Sequence, residues 1–373
     1  MTRSHFDIII VGGGLAGLSC ALHLSKTSKV LVLEKHTYPN HKVCGEYVSN
    51  EILPYLKTLG IDPIAHGAKR ITEFEISTSN GKSITSTLPL GGFGMSRYAL
   101  DNVLYNQLKD SVEFQFETVT GIHFKENEFQ VATQSNLKFT ANFVVGAFGK
   151  RSNLDGTLER SFIQKKSNWL AVKAHYDYDF PDNKVALHNF KGGYCGLSQI
   201  ETGAVNACYL TTYDSFKPYG NVDLFQNEVL RKNKHLEHFF QNAQAIFEKP
   251  LSISQISFDK KQNIVNHIFM IGDSAGLIHP LCGNGMAMAI HSAKIFSECY
   301  QSHRSEKQTD RLKLEERYGR VWRDHFAKRL ATGRRIQKLL LHPTLSNLGY
   351  SVARLFPSIV PNIIKQTHGE IVQ

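Results

Sequence analysis

Four residues near the start of the chain have the types and the spacing to hold a phosphorylated nucleotide. Gly12, Gly14 and Gly17 follow the pattern GxGxxG, and Glu34 stands 20 residues beyond Gly14. The glycines permit a tight turn, the close approach of a pyrophosphate and close packing of a helix on its strand. The N–H groups at the start of that helix can bind phosphate, and the acid can accept hydrogen bonds from ribose hydroxyls. The spacing therefore predicts a site for FAD or NAD, and the acid argues against NADP.

The elements that position these residues can be predicted from the same segment. Residues 6–11 form a short apolar run rich in isoleucine, which is typical of a buried parallel strand. Leucine and alanine recur at helical spacing over residues 15–22, and a second apolar run at 30–33 leads into Glu34. Strand, turn, helix, strand and acid follow one another within about 30 residues. We interpret this segment as the start of a Rossmann-like domain.

A second signature lies near residue 270. An apolar run at 268–271 leads directly into Gly272-Asp273, and a glycine-containing loop is followed by a helical pattern over 286–297. A carboxylate at a strand end can hold a ribose or ribityl hydroxyl, and the helix N-terminus can face a phosphate or a negatively charged ring. The candidate cofactor-binding residues of this motif are Gly272, Asp273, Pro280, Gly283, Asn284, Gly285 and Met286.

The two motifs, GGGLAG with Glu34 and IGDSAGLIHPLCGNGM, together resemble the FAD-binding pair of the glutathione-reductase-2 flavoproteins. Within that class they resemble the geranylgeranyl-reductase-like enzymes, which are related to aromatic hydroxylases of the p-hydroxybenzoate hydroxylase type. The resemblance implies FAD as the cofactor, NAD(P)H as the electron donor and a GD motif at the ribityl chain. The FAD-binding residues implied at the N-terminal motif are Gly12, Gly14, Leu15, Ala16, Gly17, Glu34 and Lys35.

Two further segments resemble motifs of the same class. Residues 95–97, Met-Ser-Arg, resemble the start of an arginine-containing helix whose arginine lies near FAD. The guanidinium of Arg97 could neutralise pyrophosphate or flavin charge there; a solvated surface arginine is the alternative. Residues 144–149 stand where the class reads G-A-D-G, with Phe148 in place of the acid.

The candidate catalytic residues, Cys44 and Tyr194, come from two segments that resemble reductase motifs. Residues 42–46 resemble the K-x-C-G-G loop of geranylgeranyl reductases, with Glu46 in place of the second glycine. The resemblance places Cys44 and Gly45 near the flavin, where a thiol can donate a proton; a small buried thiol is the alternative. Residues 193–198 stand in the place of the reductase Y-x-W-x-F-P motif, of which only Tyr194 is present. Tyr194 is either a pocket residue or an ordinary sheet tyrosine.

The order of these motifs predicts an α/β fold of two domains. A Rossmann-like FAD-binding domain is expected to be discontinuous, and strand-rich segments, including a hairpin around Asn80-Gly81, predict a mixed-sheet α+β substrate domain. The predicted bounds are 1–70, 95–155 and 263–345 for the FAD-binding domain, 71–94 and 156–262 for the substrate-binding domain, and 346–373 for an apolar C-terminal tail.

A basic segment precedes this tail. Residues 304–338 contain twelve Lys or Arg and five Asp or Glu, and so carry +7 of the net charge of +10. Their helical apolar spacing predicts a helix pair whose apolar face covers the FAD-binding domain, or whose basic face attracts an anionic membrane surface. That face is predicted to contain Leu312, Leu314, Tyr318, Val321, Trp322, Phe326 and Leu330. The interleaved acids argue against nucleic-acid binding.

Composition limits the number of domains, the cellular location and the kinds of site that we expect. The 373 residues favour two domains, a hydrophobic fraction of 42% supplies a large core, and the six cysteines lack paired spacing, which is typical of a reducing compartment. We see no signal sequence and no run of about 18 apolar residues, so we expect a cytoplasmic protein, either free or associated with a membrane surface. The 17 histidines show no metal-binding spacing. The sequence therefore predicts no metal site.

These features together predict an FAD-dependent oxidoreductase acting on an apolar, isoprenoid or other lipid-like substrate. The preferred reaction is reduction of an isolated C=C bond with NAD(P)H as the donor. One alternative is a flavin monooxygenase that hydroxylates a phenolic or polyketide substrate. A second is a flavoprotein that passes electrons to a partner protein without small-molecule turnover. The cofactor supplies the redox chemistry in each case, and pocket shape and oxygen access choose between them.

Overall fold

The computed structural model describes residues 5–306, 310–341 and 343–373, without the side chains of residues 338–347. The strands are, in chain order, β1 His5–Val11, β2 Val30–Leu33, β3 Tyr47–Ser49, β4 Lys69–Ser77, β5 Ser83–Gly94, β6 Glu113–Gln115, β7 Val119–Lys125, β8 Glu128–Thr133, β9 Lys138–Gly146, β10 Trp169–Asp177, β11 Lys184–Phe190, β12 Gly193–Gln199, β13 Val205–Thr212, β14 Gln244–Ala245, β15 Leu251–Ser254, β16 Ile264–Val265 and β17 Ile268–Met270. The α-helices are α1 Leu15–Leu24, α2 Leu53–Thr58, α3 Arg97–Leu108, α4 Asn153–Thr157, α5 Tyr213–Phe216, α6 Val222–Glu228, α7 Lys234–Asn242, α8 Gly285–Ser305, α9 Arg311–Leu341, α10 Pro343–Leu355 and α11 Ile359–Thr367.

The first sheet carries both glycine motifs. Its order is β16–β17–β9–β1–β2–β6, with β7 and β8 attached beside β9. The strands β17, β9, β1, β2 and β6 run parallel to one another. Their carboxyl ends therefore meet at one edge of the sheet, where the motifs after β1 and β17 come together. The strands and the helix predicted at the first motif are confirmed as β1, α1 and β2.

The second sheet is mixed. Its order is β14–β10–β13–β12–β11–β4–β5–β3, with β15 paired to β10. The strands β11 and β4 run parallel, and the predicted hairpin around Asn80-Gly81 is confirmed as β4 and β5. β3 lies within segment 1–70, but it pairs with β5 at the edge of this sheet. The predicted α/β fold, with a Rossmann-like sheet and a mixed sheet, is confirmed, while the exact domain bounds stay a prediction.

Helix α9 covers the core of the first sheet with its apolar face, as one of the two interpretations of the basic segment predicted. Residues 311–341 form one long helix, however, and not the predicted helix pair. The members of this face that are buried or packed against the core are Leu314, Tyr318, Val321, Trp322, Phe326 and Leu330. The prediction for Leu312 was wrong, because it lies two positions before Leu314 and therefore about 200° away from it around the helix. Its side chain is 57% exposed. Residues 307–309 and the Lys338 side chain of the basic segment lie outside the described residues.

The C-terminal tail forms α10 and α11, which pack beside α9 and β5. Across the described ranges, every helix is too short or too polar to cross a membrane.

Candidate active site

The first glycine motif forms the predicted turn between β1 and α1. Gly12 has a φ of +108°, and a Cβ there would lie 2.6 Å from the Ala147 carbonyl carbon. A Cβ on Gly17 would collide with the Gly12 carbonyl oxygen. Glycine is therefore required at both positions. Gly14 caps α1 without any side-chain hydrogen bond to the first turn, so the helix N–H groups are open to a phosphate.

An arginine stands beside this open helix end, as predicted. A Cβ on Gly14 would lie 3.4 Å from Arg97 Nη2. The guanidinium donates from Nε to Asp101 Oδ1 at 2.7 Å and from Nη2 to Oδ2 at 2.8 Å, and Lys42 Nζ donates to Oδ2 at 2.9 Å. Burial raises the pKa of Asp101, but the charges of Arg97 and Lys42 outweigh burial and lower it overall. The carboxylate therefore stays ionised and holds Arg97 beside the open end of α1.

Glu34 lies beside the same turn. Its Oε2 accepts a hydrogen bond from the Gly13 N–H at 2.7 Å, and its Oε1 accepts from the His36 N–H at 3.2 Å. The Tyr38 hydroxyl donates to the Gly13 carbonyl at 2.5 Å. Lys35, in contrast, is exposed on the surface. The structure thus brings Glu34 to the glycine turn, and the contacts of Glu34 and Lys35 with a cofactor stay predictions.

The second glycine motif packs directly against the first. Gly272 has a φ of +59°, and a Cβ there would lie 2.8 Å from Ala16 Cβ. This close approach places Asp273 at the carboxyl end of β17, next to the start of α1. The predicted helix is confirmed as α8, which begins at Gly285 without a side-chain hydrogen bond to its first turn. The structure therefore offers a second open helix N-terminus to the same region.

The side chain of Asn284, at the start of α8, serves the fold. It is buried, and its Nδ2 donates to Glu51 Oε2 at 3.3 Å and to the Thr367 carbonyl at 3.0 Å. Glu51 also accepts from Arg329 Nη1 at 3.1 Å. These bonds connect the start of α8 to α9 and α11, so a contact of Asn284 with a cofactor stays a prediction.

One cavity of about 580 Å³ connects the two helix ends. Most of the predicted site residues line it, and these are Gly14, Leu15, Ala16, Cys44, Gly45, Arg97, Tyr194, Asp273, Pro280, Gly283, Gly285 and Met286. Gly12, Gly17 and Gly272 lie behind the lining and allow its close packing. The remaining wall is largely apolar and comes from the second sheet and from the helices of the C-terminal tail.

Cys44 and Tyr194 meet at this cavity. Cys44 is partly exposed, and its carbonyl accepts from Asn206 Nδ2 at 3.2 Å, which ties the Cys44 loop to β13. Tyr194 is 5% exposed, and burial raises the pKa of its hydroxyl well above the usual range. A phenol held neutral in this way is a weak proton donor. Cys282 is also buried, and burial raises the pKa of its thiol to about 12, which fits a packing role.

The sequence reasoning missed a buried cluster of charges behind Cys44. Glu46 has a φ of +57° and is fully buried. Its Oε1 accepts from the Arg97 N–H at 2.8 Å and from Lys173 Nζ, and its Oε2 lies 2.7 Å from His175 Nε2. Burial raises the pKa of Glu46, but His175 and Lys173 outweigh burial and lower it overall. The ionised carboxylate therefore fastens the Cys44 loop to β10 and to the start of α3.

The geometry fits FAD. Two open helix N-termini face one cavity, Arg97 lies beside the first, and a Cβ on Gly14 would enter the space next to the guanidinium. Such a site suits a dinucleotide with its pyrophosphate at α1 and its ring system toward α8. Gly14, Arg97 and Asp273 would hold the cofactor, which would supply the redox chemistry.

Comparisons with known proteins agree with this geometry. Residues 5–299 match the family described as FAD binding domain. Digeranylgeranylglycerophospholipid reductase of Methanosarcina acetivorans is 25% identical over 341 residues, covering 86% of this chain and 81% of that protein. The protein of the same name from Methanosarcina mazei is 24% identical over 345 residues, with 86% and 81% covered.

A solved structure has the same fold. That of flavin-dependent brominase Bmp2 gives a TM-score of 0.80 at 17% identity, covering 98% of this chain and 93% of that one. At this identity the similarity concerns the fold alone. The predicted resemblance to geranylgeranyl-reductase-like flavoproteins is confirmed by the reductases named above. The chain therefore belongs to the FAD binding domain family and is an FAD-dependent oxidoreductase.

Proposed function

We propose that this oxidoreductase reduces isolated C=C bonds of an isoprenoid or other lipid-like substrate, with NAD(P)H as the electron donor. The observation that carries the proposal is the continuity of the cavity, which runs from the open end of α8 past Cys44 to an apolar wall. Side chains of that wall include Ile76, Val185, Leu187, Leu210, Ala353 and Ile363. An apolar chain gains about 0.8 kcal/mol for each CH₂ group buried, so this wall favours a hydrocarbon substrate.

The similarity to reductases named for digeranylgeranylglycerophospholipid supports the same substrate class. Reduction of one C=C bond adds one hydride and one proton. We assign the proton to Cys44, because its thiol is partly exposed and lines the cavity beside Gly45. The Glu46 carboxylate and Asn206 hold the loop in place from behind. Tyr194 is assigned to the cavity wall, since burial keeps its hydroxyl protonated.

Exposed apolar side chains beside the cavity suggest how such a substrate arrives. Leu355 and Phe356, at the end of α10, are 74% and 62% exposed, while Tyr350 and Ala353 of the same helix line the cavity. Arg354, which directly precedes Leu355, is also exposed. Apolar side chains next to basic ones favour contact with an anionic membrane surface. We therefore propose peripheral membrane contact at α10, with lipid entry from that side.

The mass of the product tests the proposed reaction. The purified flavoprotein is mixed with NADH or NADPH and with prenyl lipids or phenolic and polyketide lipids, with and without oxygen. We expect a gain of two hydrogens on the prenyl lipid in the absence of oxygen. A gain of one oxygen atom, seen only with oxygen present, would instead establish a monooxygenase. Flavin reduction without any small-molecule product would favour electron transfer to a partner.

A cysteine variant tests the proton donor. Cys44→Ser should lower turnover about 100-fold, because general-acid catalysis contributes on that scale, and should retain FAD. Cys299→Ser is the control, since Cys299 lies on α8 outside the cavity lining. Equal turnover of the two variants would show that Cys44 is a packing residue.

A further inference from the structure

Two histidines and a carboxylate meet on the second sheet, away from the cavity. One ligand atom from each of Glu75, His188 and His235 lies within 4.8 Å of the other two. Glu75 lies on β4, His188 on β11 and His235 in the first turn of α7. We propose that these three side chains bind a divalent metal ion of the Zn²⁺ class.

The cluster lies on the opposite face of the sheet from the proposed active site. Ile76 and Leu187 line the cavity. Because side chains alternate along a strand, their neighbours Glu75 and His188 project from the other face. Helix α7 packs there through the buried Leu236 and Phe239. The site therefore joins α7 to the sheet that forms the cavity wall.

Each imidazole already has one nitrogen fixed by a polar neighbour. His188 Nδ1 lies 2.9 Å from Ser77 Oγ, which also accepts from Asn233 Nδ2 at 2.9 Å. His235 Nε2 lies 3.0 Å from the Gly81 carbonyl, so that nitrogen carries the proton. Histidines that bind metals show this arrangement, in which the outer nitrogen is held by a hydrogen bond and the other faces the ion. The remaining nitrogens are His188 Nε2 and His235 Nδ1.

The carboxylate is oriented in the same way. Glu75 Oε2 lies 3.2 Å from Lys184 Nζ, which also pairs with Glu73 Oε1 at 2.8 Å. Glu75 Oε1 lies on the other side, 3.9 Å from His235 Nδ1. One oxygen is thus held by an ammonium group, and the second is directed to the histidines. Lys184 stands at the outer oxygen, where it orients the carboxylate.

Metal binding requires a modest rearrangement. Zn²⁺ with bonds of 2.0–2.1 Å places tetrahedral ligand atoms about 3.3 Å apart, closer than the present 4.8 Å limit. The rings of His188 and His235 are stacked at 6°, with centroids 4.7 Å apart, so one ring must turn. His235 can do so, because its side chain is 27% exposed at the start of α7. Water would then complete the coordination.

The ligand types select the class of ion. Two imidazoles and one carboxylate suit Zn²⁺ and similar transition metals, whereas Ca²⁺ and Mg²⁺ prefer sets of oxygen ligands. The histidine spacing predicted no metal site, because these ligands come from three separate elements. Their proximity depends on the pairing of β4 with β11 and on the packing of α7.

Calorimetric titration of the full-length, FAD-loaded protein with Zn²⁺, after treatment with a chelator, tests the proposal. We expect one site with a Kd in the micromolar range or below. His235→Asn and Glu75→Gln should each weaken binding at least about tenfold. His238→Asn is the control, because His238 lies exposed on the same helix. Equal Zn²⁺ affinity in the wild type, His235→Asn and Glu75→Gln would overturn the proposal, as would the absence of a saturable site.

Two further measurements distinguish a built site from loose histidine binding. Co²⁺ should give the intense visible absorption of tetrahedral coordination in the wild type and in His238→Asn, and lose it in His235→Asn. Zn²⁺ should raise the Tm of the wild type, because it binds the folded state, and leave that of His235→Asn unchanged. Flavin content and circular dichroism confirm that each variant is folded. An equal rise in Tm with Mg²⁺ would contradict the assigned class of metal.

Discussion

The cavity has two halves, one that we assign to the cofactor and one that we assign to the substrate, and they are built in different ways. The cofactor half is made largely of backbone, with the open N-termini of α1 and α8 and the close-packed turn at Gly12 and Gly17. The substrate half is made of apolar side chains from the second sheet and from α10 and α11, such as Leu187 and Ala353. Recognition by backbone N–H groups requires glycines at fixed spacing, whereas many combinations of side chains make an apolar wall.

This difference sets the expected sensitivity of each half to substitution. A single Cβ at Gly12 or Gly17 meets backbone that cannot move, while a change in the wall is met by repacking of side chains. Single substitutions should therefore abolish binding near α1, whereas those near β11 and β12 should change substrate preference by small steps. Variants ordered by expected effect test that comparison.

The largest effect on cofactor binding is expected at Gly14. Gly14→Val should reduce FAD affinity at least about 100-fold, an energy of about 2.7 kcal/mol, because its side chain would fill the space beside Arg97 that we assign to the pyrophosphate. The nearest atom to a Cβ there is Arg97 Nη2 at 3.4 Å, so the fold itself should persist. Flavin fluorescence during titration measures the affinity, and circular dichroism measures the fold.

Gly156→Ala is the matched control for this variant. Gly156 lies in α4, and a Cβ there would have nothing within 4 Å. FAD affinity should equal that of the wild type. If Gly14→Val also kept its flavin, the pyrophosphate would lie elsewhere and the contrast between the two halves would fail.

The same contrast explains how far the sequence could predict the site. The elements β1, α1, β2 and α8 were predicted because each depends on residues close together in the chain, whereas Arg97 was predicted only from the resemblance of residues 95–97 to a family motif. Glu46 was noted as a departure from a family glycine, but its partner Lys173 lies 127 residues away. Neither composition nor spacing indicates such a pairing, which depends on where β10 falls in the second sheet. Leu312 was misassigned, since a list of apolar residues does not resolve the face of a helix.

The largest effect on stability is expected at Glu46, where the two halves are joined. Glu46→Gly introduces the second glycine of the K-x-C-G-G motif, and glycine adopts the φ of +57° without strain. It also leaves Lys173 buried without its carboxylate, which costs about 3–5 kcal/mol. Urea unfolding should therefore show a large loss of stability, although glycine removes the backbone strain at this position.

A second substitution that removes the Lys173 charge tests whether the unpaired ammonium group causes the loss of stability. The double variant Glu46→Gly with Lys173→Met replaces the buried pair by apolar groups, which is often nearly neutral in stability. It should recover most of the loss. A double variant as unstable as Glu46→Gly would show that the loop depends on another property of the glutamate.

A smaller effect is expected from pH. The folded-state pKa of Glu46 is lowered below its ordinary value of 4.5, because His175 and Lys173 outweigh the effect of burial. The stability that its ionisation contributes is therefore complete above about pH 4.5 and is lost as the pH falls through the lower folded-state pKa. The free energy of unfolding should fall more steeply with acid in the wild type than in the double variant. If the unfolding free energies of the two proteins changed in parallel with pH, Glu46 ionisation would not contribute to stability.

The smallest effect is expected in the wall of the substrate half. Tyr194→Phe removes a hydroxyl whose raised pKa makes it a weak proton donor, so turnover should change by less than about threefold, under about 1 kcal/mol. Tyr194→Ala removes the ring that packs in one apolar cluster with Leu187 and Leu210. The larger cavity should shift preference toward bulkier substrates, with FAD affinity unchanged. Substrate competition measured by product mass would show this shift. A loss of turnover in Tyr194→Phe as large as in Cys44→Ser would place the hydroxyl in the chemistry, and the substrate half would then be as sensitive to single atoms as the cofactor half.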